Sequence, residues 1–156
     1  MNREMQSIIH NLQQVNNGEP WFGRPVYAIL DEVDASKVYI KPNNTEHSLI
    51  ELLYHMLTWA EFTLKRIEKD SIQDMAAFEK MDWREIDPAV HNWKKGLIEF
   101  KSVNEKIIQL LDKKNDEFLK EIVDYRKYNF RFLLNGYIQH NIYHLGQIAY
   151  VKKLLA

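Results

Sequence analysis

The chain carries six histidines, at positions 10, 47, 55, 91, 140 and 144. Two of them stand four apart in Gln139-His140-Asn141-Ile142-Tyr143-His144. On a helix that spacing puts both imidazoles on one face, about one turn apart. Two neutral imidazoles so placed can share one divalent metal, as they do in the helix motif of zinc proteases. A bare pair also has a plainer reading, as two half-buried histidines hydrogen-bonded to their neighbours. Three features favour the metal. The pair is flanked by Leu133, Leu134, Tyr137, Ile138, Ile142 and Leu145, and polar groups among apolar neighbours need a partner. His55 stands in similar company, in Leu52-Leu53-Tyr54-His55-Met56-Leu57. Facing helices of a bundle can bring one such histidine to an i,i+4 pair. Three protein ligands would leave a position open for water or substrate.

The carboxylate that the protease motif carries between its histidines is missing, so peptide hydrolysis by that route is not expected. Glu51 lies one turn before His55 and suits either of two roles, as a partner of the His55 ring or as a helix cap. Tyr143 and Gln147 could orient a substrate or a bound water, or serve only in packing and hydrogen bonding between helices. His47, eight residues before His55, falls about 80° away round the helix, so the two do not face one ion. It suits a packing role against the first helical turn. His10 and His91 sit among polar residues and read as surface positions. Trp21, Phe22, Trp59, Trp83 and Trp93 read as core and loop packing, with some available to line a pocket over the metal.

The elements that must position these residues are helices. Ile8, Ile9, Leu12 and Val15 recur at helical spacing over 1–15, and Asn16-Asn17-Gly18 ends the run. Pro25 opens a short helix holding Val26, Ile29, Leu30 and Val33. Val38-Tyr39-Ile40 is the one strand-like run and is too short to found a sheet. A second long helix occupies 43–69, with Ser48-Leu49-Ile50-Glu51 as a capping box that places its N-cap near Ser48. Residues 70–87 are weakly periodic and read as a long, partly helical connection. Pro88 opens a third long helix, which Lys113-Lys114-Asn115-Asp116 ends, and Phe118-Leu119-Ile122-Val123 suits an extra turn or two. The last helix spans about 129–155. Four long amphipathic helices without convincing strands predict an all-α protein, an antiparallel four-helix bundle, built as one domain over 1–156. The long connections leave room for crossovers.

Composition narrows the function. There are no cysteines, which removes disulfides, thiolate metal sites and cysteine nucleophiles. Twenty-one basic and 22 acidic residues give a net charge of −1, so no electrostatic signature of nucleic acid or an anionic membrane is present. No apolar run is long enough for a membrane span, and the first residues lack the apolar core of a signal peptide. A cytoplasmic protein is expected.

The segment Glu46-His47-Ser48-Leu49-Ile50-Glu51-Leu52-Leu53-Tyr54-His55-Met56-Leu57-Thr58-Trp59 resembles the second-helix signature of the DinB/YfiT-like family. Leu134-Asn135-Gly136-Tyr137-Ile138-Gln139-His140-Asn141-Ile142-Tyr143-His144-Leu145-Gly146-Gln147-Ile148 resembles its last-helix signature, and the loop Glu19-Pro20-Trp21-Phe22-Gly23 is similar too. The resemblance implies a four-helix bundle and a divalent metal held by three histidines, here His55, His140 and His144. Relatives often carry Asp after the first histidine of the pair, where this chain has Asn141, which removes one candidate carboxylate. Members act as metal-dependent hydrolases or as transferases and isomerases that use low-molecular-weight thiols, and dimers are common among them.

The expected function is thus a metal-dependent enzyme acting on a small molecule, with water or a thiol cosubstrate at the open position. The expected ion is zinc or nickel, ahead of manganese or iron. Glu51, Tyr143 and Gln147 are the first residues to test around the ligands. A homodimer is implied by the resemblance alone. A carboxylate-bearing thiol would need basic groups at the pocket rim, for which Arg24, Lys41, Arg126 and Arg131 are available. The competing reading is a non-catalytic binding or stress-response module whose metal is structural or vestigial.

Overall fold

The computed structural model describes residues 2–44, 47–71 and 75–156. Met1 of the expected first helix, Thr45 and Glu46 ahead of the capping box, and Ile72, Gln73 and Asp74 of the long connection lie outside them. Six α-helices are described: α1 (Arg3–Asn17), α2 (Val26–Asp31), α3 (Leu49–Glu68), α4 (Met75–Met81), α5 (Trp93–Leu111) and α6 (Phe130–Leu154). Among the described residues there is no strand, only an isolated bridge between Ile122 and Asn129. None of the described helices is long and apolar enough to cross a membrane. The architecture is the expected all-α bundle, formed by α1, α3, α5 and α6.

Short polar side chains set the helix starts. Ser48 and Glu51 form the reciprocal capping box of α3. Asn92 accepts from Lys95 N at 2.9 Å to open α5, and Asn129 accepts from Phe132 N at 3.0 Å to open α6. The α1 start is capped from elsewhere in the fold, because the Asp116 carboxylate accepts from Glu4 N and Met5 N.

One expectation shifts here. Helix α5 starts at Trp93 rather than Pro88. Asp87 folds the chain after Pro88 into a turn, accepting from Ala89 N with its side chain and from Val90 N and His91 N with its carbonyl. The run Val38-Tyr39-Ile40 follows a 3₁₀ turn, Ala35–Lys37, and no strand partner is present among the described residues. Val38 is buried, and its carbonyl accepts from Ile50 N at the start of α3. The extra turn after α5 is a 3₁₀ segment, Asp116–Lys120.

Side-chain bonds give the helix directions. The α1 start lies beside the α5 end through Gln6 and Asp112 at 3.3 Å, and beside the α6 start through Glu4 and Arg131 at 2.9 Å. Lys69, just past α3, pairs with Glu121, whose carbonyl accepts from Phe130 N. Helices α1 and α6 therefore run one way and α3 and α5 the other. Parallel α3 and α5 are packed side by side, so the chain must recross the length of the bundle between them. The described residues 69–71 and 75–92 belong to that crossing. One buried polar link spans the core: Asn16 donates to Asn104 Oδ1, which also accepts from Tyr137 Oη at 2.7 Å.

Gly96 marks a close contact between α5 and α3. A Cβ at Gly96 would stand 2.8 Å from the Tyr54 ring, whereas one at Gly146 would meet nothing within 4 Å. Overpacking costs about 1–3 kcal/mol, and relieving a helical glycine gains about 0.5–1 kcal/mol. Gly96→Ala is therefore expected to lower the urea midpoint of unfolding and Gly146→Ala to raise it.

Candidate metal centre

The centre lies where α3 and α6 cross. His55 comes from α3, and His140 and His144 come from successive turns of α6. Their Nε2 atoms form a near-equilateral triangle: 3.1 Å from His55 to His140, 3.0 Å from His55 to His144, and 3.1 Å from His140 to His144. His55 and His144 are buried and His140 is half-buried. These three form the group of metal-ligating side chains found among the described residues.

The outer nitrogens decide what those inner atoms are. His55 Nδ1 lies 2.9 Å from the Asp82 carbonyl and 2.9 Å from Asp82 Oδ1. Both are acceptors, so Nδ1 carries the proton and Nε2 is a bare lone pair. His144 Nδ1 lies 2.5 Å from Gln147 Oε1, which fixes the same tautomer. Two bare lone pairs thus face each other at 3.0 Å, and neither can donate to the other. A proton on His140 Nε2 could bond one of them and would still leave that pair opposed. A cation between the three satisfies them all. Donors about 2.1 Å from one ion stand about 3.0 Å apart at right angles and about 3.4 Å apart at the tetrahedral angle. The observed triangle fits that span, so the donor set suits a divalent metal.

Burial reinforces the fit, because metal ligands must be unprotonated. Loss of solvation pushes His140 down to about 3, with the neighbouring His144 and His55 adding to it. The same desolvation pushes His144 down to about 4, against the opposing bond to Gln147. His55 is lowered by burial as well, with Asp82 working the other way. His140 is the ring without an outer anchor, since its buried Nδ1 has no hydrogen-bond partner among the described residues.

The long connection supplies the outer support. Asp82 Oδ1 accepts from Trp59 Nε1 at 2.7 Å, Met81 O accepts from Thr58 Oγ1 at 2.8 Å, and Arg84 donates to Thr58 Oγ1 at 2.6 Å. Trp83 is sandwiched between His55, 3.8 Å away with its ring nearly parallel, and His47 at 3.7 Å. His47 therefore does not join the triangle but packs on the far face of the tryptophan.

The remaining site candidates are spread out. Glu51 serves the capping box and pairs with Lys41 at 3.1 Å, and the acceptor for the His55 ring is Asp82. Gln147 holds the His144 ring. Tyr143 is exposed, with its ring 5.0 Å from that of His144. Asn141 is fully buried, where an unpaired carboxylate would be costly. Arg24 and Arg131 are paired with Glu32 and Glu4, while Arg126 lies over the Phe62 ring. The residue missed from sequence is Asp82, while Trp83, one of the aromatics expected in packing or over the metal, stacks on the His55 ring. Both sit in the aperiodic connection, where no spacing ties them to the histidines.

The family model of the DinB superfamily matches residues 25–148. No curated protein matches the chain.

A free histidine in the unfolded chain takes its proton near pH 6.5, at about the ordinary value. In the metal-free fold His140 and His144 refuse it down to about 3 and about 4. Their contribution to stability is therefore intact above about pH 6.5 and is lost as the pH falls from there toward about 4. Urea midpoints of the metal-free protein should drop over that window. The drop should be smaller in a His140→Ala, His144→Ala double variant, and equal drops would contradict the assignment.

Proposed function

The chain belongs to the DinB superfamily, and from that premise and its three convergent imidazoles we propose a metal-dependent enzyme acting on a small molecule. The observation that carries this reading is the approach of His55 Nε2 and His144 Nε2 to 3.0 Å while the Nδ1 atoms of both rings face the acceptors of Asp82 and Gln147. A bound divalent metal would lower the pKa of a water or thiol at its open position and so supply a nucleophile at neutral pH.

His55, His140 and His144 would hold the metal. Asp82 and Gln147 keep the Nδ1 protons of His55 and His144 in place, which sustains the donor character of the opposite nitrogens. Trp83 covers one face of the His55 ring and excludes water from it.

The surroundings favour a thiol as the activated group. The Asp82 side chain already accepts from Trp59 Nε1 and from the His55 ring, and no further carboxylate joins the cluster among the described residues. A base for water is therefore not at hand. A free thiol has a pKa of about 8.5, against about 15.7 for water, and needs far less help to ionise. Zinc and nickel both suit a donor set of neutral imidazoles.

The test is an assay of metal-loaded protein with an aromatic electrophile and a low-molecular-weight thiol, run beside ester hydrolysis without thiol. Thiol-dependent turnover is expected, and His144→Ala should abolish it. Gln147→Ala should weaken metal affinity by about 10–100-fold. Metal-loaded protein inert in both assays would leave the site structural and overturn the reading.

A further inference from the structure

Beside the metal centre, α3 and α6 leave a cavity of about 190 Å³. Its walls include Trp59 and Phe62 of α3, Phe132, Gly136 and His140 of α6, and Tyr128 just before α6. His140 thus belongs both to the imidazole triangle and to the cavity wall. Among the described lining residues no side chain carries a charge at neutral pH.

Three polar groups of the wall are already engaged in hydrogen bonds. Trp59 Nε1 donates to Asp82, Thr63 Oγ1 to the Trp59 carbonyl at 2.8 Å, and Tyr137 Oη to Asn104. Apart from His140 Nδ1 and the Tyr128 hydroxyl, what the wall offers is ring surface. Trp59 meets Phe62 edge-on at 5.3 Å, and Tyr128 meets Phe132 at 5.0 Å. Phe132 is 65% exposed, so core packing does not explain its place. Gly136 keeps the space open, because a Cβ there would meet nothing within 4 Å.

From this we infer that the cavity seats the apolar end of the substrate, a neutral ring-sized group such as phenyl or benzyl, next to His140. Size supports the class. A dry cavity of about 150 Å³ lined by apolar side chains takes up benzene, whereas whole drug-sized ligands need about 300 Å³ or more. The cavity therefore fits one ring, and the reactive remainder of the molecule would extend beyond it. Aromatic walls favour such a ring through edge-to-face and offset contacts. Calling the occupant a substrate rests on the enzyme reading above, but the binding itself does not.

The test is ligand-observed fluorine NMR with 4-fluorobenzyl alcohol, with 2-fluoroethanol as the control that lacks the ring. Wild-type protein should bind the aromatic probe saturably and ignore the control. Gly136→Leu, which fills the cavity, should weaken binding at least tenfold while its circular dichroism and bound metal stay unchanged. Gly136→Ala should bind with intermediate strength. His55→Ala removes a metal ligand outside the wall and should keep the probe bound. No saturable binding to wild type, or equal binding by Gly136→Leu, overturns the inference. Metal loading without probe binding would sink the pocket and spare the enzyme reading, and probe binding without metal loading would do the reverse.

Discussion

Everything at the centre of this protein depends on three imidazoles being held neutral with their lone pairs aimed at one point. Burial supplies the neutrality. The outward Nδ1–H bonds to Asp82 and Gln147 supply the direction. Close approach of like lone pairs opposes folding unless a cation lies between them, so a cation bound there would stabilise the fold. The antiparallel crossing of α3 and α6 lies at the level where that cation would sit.

The connection between α3 and α5 does two jobs with one stretch of chain. Parallel neighbours cannot be joined by a tight turn, so a crossing of the bundle is obligatory. The crossing runs over the α3 face that carries His55, Thr58 and Trp59, and it is fastened there by Met81, Asp82 and Arg84. Asp82 joins His55 of the imidazole triangle to Trp59, which walls the neighbouring cavity. A change at Asp82 would thus be felt in both places.

Much of this was legible in the sequence, because it rests on local rules. The i,i+4 spacing of His140 and His144 survives any tertiary arrangement of a helix. The capping box at Ser48 and Glu51 is a local motif and marks the start of α3 as expected. The α5 start was misplaced at Pro88, because Asp87 captures the amides that follow it and Asn92 offers a later cap. Val38-Tyr39-Ile40 has the composition of a strand, but no partner pairs with it among the described residues, and burial of Val38 against the bundle settles its course. The contacts of Asp82 and Trp83 with His55 could not be found by periodicity, since they are made through the crossover. Gly136 reads from sequence as a family residue, and its part in the cavity needs the packed α3.

The most direct test of this account is the metal content of untagged protein purified without added metal, alongside His55→Ala, His140→Ala and His144→Ala. The account predicts about one equivalent of a divalent metal per chain in the native protein and its loss in each variant. Native protein that stays metal-free after reloading, with thermal stability unchanged in all three variants, would contradict it.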